Sequence, residues 1–347
     1  MAYTTIDDPT IHFTAFLRNS IYGGSDTSYD IGFQPDWIWD KVRSTTGVHA
    51  TFDSVRGVGS SGKILYTNTT GAEATNALIK SIDSSGFTIT ANSDHSSQTI
   101  VDWCWKAGGS ASSNSDGDIT SSVSANTTAG FSIVSYTGTG SNATIGHGLG
   151  VTPKWIIVKQ RNATRSWEVF HSSIPSMNTK YIELNTTAAA STYSPVWGGT
   201  DPTSTTFHVG TDNSTNNNSG SFIAYCFAEK KGYSKFGSYT GNGNNDGTFV
   251  YTGFAPAYVM IKKSNASGTS WVIFDNKRNT FNERSRILQA NDNGAEETST
   301  NRIDFTSNGF KLRGTWTAIN NSGDTYIYMA FAESPFVNSN GVPNNAR

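Results

Sequence analysis

Two acidic residues, each followed three positions later by arginine, are the best-spaced candidates for chemistry in this chain: Asp53 with Arg56, and Asp275 with Arg278. A carboxylate beside a guanidinium could act as a general base or hold a polar substrate. A catalytic carboxylate also needs an acid or nucleophile partner, and none recurs with these. The pairs therefore read as local ion pairs that pin a strand exit, and no catalytic residue is assigned. Six histidines, His12, His49, His95, His147, His171 and His208, form no HxH or HExxH spacing and read as surface or packing residues. The glycines flanking His147 suit a tight turn better than a phosphate loop, since no helix start follows them. Asp116 and Asp118 have too few acidic neighbours for calcium. Cys104 and Cys226 read as small packing thiols, with a disulfide as the alternative. The expectation is no metal and no cofactor.

Sugar contact is better motivated, because exposed aromatic side chains stack on the apolar faces of saccharides. Of the nine tryptophans, Trp37, Trp39, Trp103, Trp105, Trp155, Trp167 and Trp271 fall at positions that read as packing. Trp197 and Trp316 lie in loop-rich stretches without counterparts elsewhere in the chain. They are the candidate surface-contact residues, to a glycan or a protein partner, with loop anchoring as the alternative.

The elements that would position these residues repeat three times. A Gly, apolar, any residue, Pro run appears as Gly32 to Pro35, Gly150 to Pro153 and Gly253 to Pro256. An aromatic follows each proline by two (Trp37, Trp155, Tyr258), and a lysine by six (Lys41, Lys159, Lys262). Phe52, Phe170 and Phe274 then fall in register within HATFD, WEVFH and WVIFD. A strand closes each unit: Thr99 to Lys106, Ser221 to Glu229 and Thr325 to Glu333. The opening hairpin is shared by Tyr136 to Gly140 and Tyr239 to Gly243, and has drifted to Tyr22-Gly23-Gly24 in the first unit. Cys104, Cys226 and Ala330 share one position, so that position wants a small side chain.

The closing strands alternate, with Ile223, Tyr225 and Phe227 on one face and Phe222, Ala224 and Cys226 on the other. The expected fold is all-β: three tandem antiparallel β-sandwiches of jelly-roll or lectin-like type. The boundaries are an N-terminal arm at 1–10, repeats at 11–106, 131–230 and 231–336, a Ser/Gly/Asn-rich linker at 107–130 and a C-terminal arm at 337–347. The linker is expected to drape flexibly and leave the first unit loosely attached. The arms are expected to order only against a neighbouring subunit, or to stay disordered.

With 35% hydrophobic residues, 34 glycines, 19 Phe, 14 Tyr and 9 Trp, the chain has material for aromatic cores with polar loops. A net charge of −2 offers nothing to attract nucleic acid or anionic membranes. No apolar run approaches the roughly 18 residues of a membrane span, and no signal peptide is apparent, so synthesis in a host cytoplasm is expected.

The opening Thr5 to Pro9, the run Ser115 to Asn126, the segment Gly146 to Pro153 and the ending Ser334 to Ser339 resemble repeat-containing structural proteins of marine tailed bacteriophages. The resemblance implies a non-enzymatic virion protein on the particle exterior, as fibre, spike or head decoration, with other virion proteins as partners and homo-oligomerisation in keeping. The alternatives are a lectin-like module for a host surface glycan and a polysaccharide-degrading enzyme.

Overall fold

A computed structural model of the chain describes residues 3–20, 24–91 and 97–344. The drifted hairpin at Tyr22 and Gly23, and His95, lie outside the described residues. The fold is all-β, built from antiparallel sheets, with helix confined to single turns such as Asn213–Asn216 and Thr317–Asn320.

Each repeat lays down the same inner sheet. Its closing strand sits between the opening strand and the proline-led strand. Thus Trp105 pairs with Phe13 on one side and Trp37 on the other, Phe227 with Phe131 and Trp155, and Phe331 with Ser234 and Tyr258. The repeated glycine before each proline is explained by its backbone. Gly32, Gly150 and Gly253 have φ of 84°, 69° and 85°, a left-handed turn that a Cβ would strain. All seven tryptophans assigned to packing are buried.

In the first and third units the two faces of the closing strand go to separate cores, while in the second both faces belong to one continuous cluster. The small face (Cys104, or Ala224 and Cys226, or Ala330) meets an outer layer. In the first unit that layer is Thr27–Asp30, Gly86–Ile89 and Ile79–Ile82, with Ile38, Phe52 and Cys104 packed on Ile79, Phe87 and Ile89. In the second it is Ala143–Gly146 with Thr206–Val209. In the third the sheet itself curls on through Glu297–Thr306, Gly309–Arg313 and Asp246–Tyr251. The large faces do not complete each unit's own interior. They meet one another in a shared core that holds Trp37, Trp103, Trp105, Phe131, Tyr225, Phe227, Tyr258, Met329 and Phe331 together. Trp37 stacks on Tyr225 at 4.4 Å between units one and two, and Phe13 on Phe331 at 5.1 Å between units one and three. Trp155 meets Trp271 edge-on at 5.8 Å between two and three. Aromatic area of this size removed from water dominates the cohesion.

This arrangement overturns three expectations. The first unit is not loosely attached, since its Trp37, Trp103 and Trp105 are central to the shared core. The 107–130 stretch is not a flexible linker. Its strands Ser112–Asn114 and Ser121–Asn126 extend the second unit's sheet beyond Phe131–Thr137, with Val123 opposite Val134. Its small side chains, read as flexibility, let it lie flat: a Cβ at Gly117 would collide with the Thr144 backbone. The described parts of the arms, residues 3–10 and 337–344, also fold on their own chain. Thr4, Ile6 and Pro9 are buried, Thr4 Oγ1 donates to the Lys231 carbonyl at 2.9 Å, and the Asp7 carboxylate accepts from the Ser339 N–H at 2.7 Å.

Candidate functional site

The repeat-locked polar residues converge on the seams between units, where they form a closed cycle. Three equivalent main-chain bonds tie the ring: Glu73 N–H to the Arg161 carbonyl, Ala190 N–H to Ser264, and Glu296 N–H to Arg43, at 2.6, 2.9 and 2.8 Å. Three more repeat the pattern, from Arg165 N–H to Thr70, Gly268 to Thr187, and Gly47 to Asn293. The second set runs opposite to the first, so every seam carries one bond in each direction and all three seams are equivalent, which is pseudo-threefold closure.

Side chains reinforce it. Asp53 binds Arg56 Nε at 2.5 Å and also accepts from the Tyr225 hydroxyl of the second unit at 2.7 Å. Asp275 binds Arg278 in the same way and accepts from Trp103 Nε1 of the first unit at 3.0 Å. At the third seam His171 replaces the acid, and its Nε2 faces the Tyr328 carbonyl at 3.3 Å. Burial holds His171 at about 4, so the ring is neutral at ordinary pH. Trp167 and Trp271 donate through Nε1 to the Tyr66 and Glu183 carbonyls of the preceding unit, both at 2.9 Å. The local ion-pair reading of Asp53 and Asp275 holds, and the structure adds a second task, the bond across the seam.

Two seams carry a further bidentate pair. Arg161 grips Glu73 at 2.9 and 3.0 Å, and Arg43 grips Glu296 at 3.0 and 2.9 Å. Burial would raise Glu296, but Arg43, Arg278 and Arg286 outweigh it and bring the carboxyl to about 2. The equivalent positions at the third seam are Ala190 and Ser264, with no pair. Sequence reasoning missed these residues, although counting on from the matched prolines places Arg43, Arg161 and Ser264 at one repeat position.

Two of the three repeated lysines, Lys41 and Lys159, reach across a seam, while Lys262 bonds within its own unit. Lys41 Nζ donates to the Gly47 and Gly294 carbonyls at 2.8 Å each, and Lys159 to Gln160 at 2.7 Å and Thr70 at 3.4 Å. Lys262 reaches Thr269 at 2.5 Å. Burial lowers the three amines to about 8, 8 and 7.

Other candidates are placed as follows. Cys104 and Cys226 are free, buried thiols. His147 is buried, with its Nδ1 accepting the Leu149 N–H at 3.2 Å, a turn contact. His12 lies beside a depression of about 560 Å³ between the first two units, where Asp36 spends its carboxylate on the Ala107 and Gly109 N–H groups. Trp197 is not a surface residue. It is 1% exposed and packs edge-on against Phe170 at 5.6 Å, because the turn Ser194–Val196 folds it inward. Trp316 is partly buried, with the Arg302 guanidinium 4.4 Å above its ring. The two tryptophans are not brought together into one site.

Fold and seams define a class: an all-β protein whose three repeated sheets close around one core. A family model described as "Domain of unknown function (DUF7483)" matches residues 8–335, across all three units. The chain belongs to that family. No curated protein matches it.

Proposed function

We propose that this is a non-enzymatic structural protein of a bacteriophage virion, displayed on the particle exterior, where it stabilises the particle or contacts the host, and that its units are lectin-like sandwiches. The observation that supports this reading is where the repeated polar chemistry goes. Asp53, Asp275, His171, Lys41 and Lys159 bond one unit to the next, so the triplication serves cohesion. Both terminal segments are packed onto the same body, which suits a rigid block holding loops outward in a harsh exterior. A contact role through polysaccharide is favoured by the exposed aromatic residues of the third unit.

Electron cryo-microscopy of purified particles tests the reading. The expected result is external density for a compact body with a radius of gyration of about 20 Å, rather than a rod of three beads. Intact, infectious particles lacking both this density and the chain would overturn it.

A further inference from the structure

The outward face of the third unit's outer layer carries aromatic rings where the second unit carries glycine. In the second unit this face is covered by the chain's own 107–130 stretch. Ile119 bridges Ile145, Ser121 Oγ donates to the Gly146 carbonyl at 2.9 Å, and Val123 lies against Gly148. Counted back from the matched prolines, Gly146 and Gly148 become Phe249 and Tyr251 in the third unit. There the junction at Lys230-Lys231-Gly232 is too short to lay a covering segment over them.

Phe249 and Tyr251 are 44% and 53% exposed, while Val250 between them is buried in the unit's core. The Phe249 ring lies over Gly309, so no side chain rises beneath it. The Tyr251 hydroxyl is 3.0 Å from that of Tyr3, which itself donates to the Gly253 carbonyl at 3.1 Å. Lys231 Nζ sits 4.4 Å over the Tyr3 ring. Beside the rings, on neighbouring strands, Lys311 pairs with Asp246 at 2.8 Å and Arg313 Nε with Asp304 at 2.7 Å.

We propose that this face, with Phe249, Tyr251 and Tyr3 flanked by Lys311, Asp304 and Arg313, is a platform for a neutral polysaccharide chain. Three observations select that occupant. The rings stand beside two ion pairs, Lys311 with Asp246 and Arg313 with Asp304, whereas the core of a protein-binding patch is depleted in charge. Sugar rings offer an apolar C–H face to stack on an aromatic and hydroxyls to bond to a carboxylate and a guanidinium, which is the pairing present here. Lys311 and Arg313 are matched by carboxylates, so beside Phe249 and Tyr251 the charges largely cancel and little net field draws a polyanion, with Lys231 set at the Tyr3 end. The inference rests on the contact role proposed above and names its ligand class.

The test is affinity electrophoresis of the purified full chain through gels containing laminarin, galactomannan or hydroxyethylcellulose, with alginate as the acidic comparison. Retardation is expected in at least one neutral gel and should be insensitive to added salt. Phe249→Ala with Tyr251→Ala should weaken it by about tenfold or more, while Tyr251→Phe, which keeps the ring, should retain it. Both positions are exposed, and an unchanged melting temperature verifies the fold. Migration unaffected by every neutral polymer, or retardation unaltered in the double alanine variant, would overturn the proposal. So would binding confined to alginate and abolished by salt, or a dimer in sedimentation that depends on the two rings, which would give the face to a second copy. Because the assay uses isolated chain, absence from particles would remove the virion role and leave the platform. Unaffected migration would do the reverse.

Discussion

Glu168 shows what a single residue can cost. It takes a position held by Ala50 and Val272 in the other units, is 3% exposed, and leaves one carboxyl oxygen without a partner. Burial first, then Glu183, raises it to about 8, with Asp212 adding to the push and Ser214 opposing it. From about pH 4.5 to 8 the unfolded chain has released this proton and the folded chain has kept it, so stability falls as pH rises. Glu168→Gln should match the wild type near pH 4.5 and gain about 1.4 kcal/mol on it for each pH unit up to 8. Urea titrations at several pH values measure this, and parallel curves for the two proteins would refute it. The buried lysines act in the next window: the unfolded chain holds their protons above about pH 8 and the folded chain does not, so they favour folding as pH rises toward 10.5. Trp197 makes the converse point. Its neighbours Ser194, Pro195 and Gly198 signal a loop, yet the loop turns inward, and only its contact with Phe170 says so.

At the scale of elements, the seams are equivalent in backbone and unequal in side chains. Ala190 and Ser264 occupy the positions where the other seams place Glu and Arg. Installing the pair, Ala190→Glu with Ser264→Arg, should stabilise the protein relative to the sum of the single changes by about 1 kcal/mol. A double-mutant cycle in urea measures that coupling, and a value of zero would show that the third seam is spaced differently. The 107–130 stretch belongs to this scale too. Its Ser, Gly and Asn content reads as a linker. What decides the matter is a partner, the free edge of Phe131–Thr137, which composition does not reveal.

For the whole molecule, the shared core predicts one unfolding event. Each inner sheet has its large face on the other two, so a unit alone keeps at most its small-face core and loses the cover of its large face. Scanning calorimetry should give a single transition with matching calorimetric and van't Hoff enthalpies. Residues 131–230 expressed alone, with Trp155, Tyr225 and Phe227 uncovered, should fail to unfold cooperatively. Resolved transitions for separate units would contradict the closed arrangement.

Strand class, the repeat, the register glycines, the two faces of every closing strand and the small residue at Cys104, Cys226 and Ala330 are all legible in the sequence. Those features follow from local rules, alternation and backbone sterics, that act within a few residues. The sequence also marks Asp53 and Asp275 as repeated, with a partner three residues away. Tertiary structure alone decided that the large faces meet in one core, that Asp53 answers to Tyr225 and Asp275 to Trp103, each 172 residues distant, and that the third unit's aromatic face stays open. Alternation gives a strand two faces and no address for either. The addresses come from which surfaces can close on one another, a property of all three units at once.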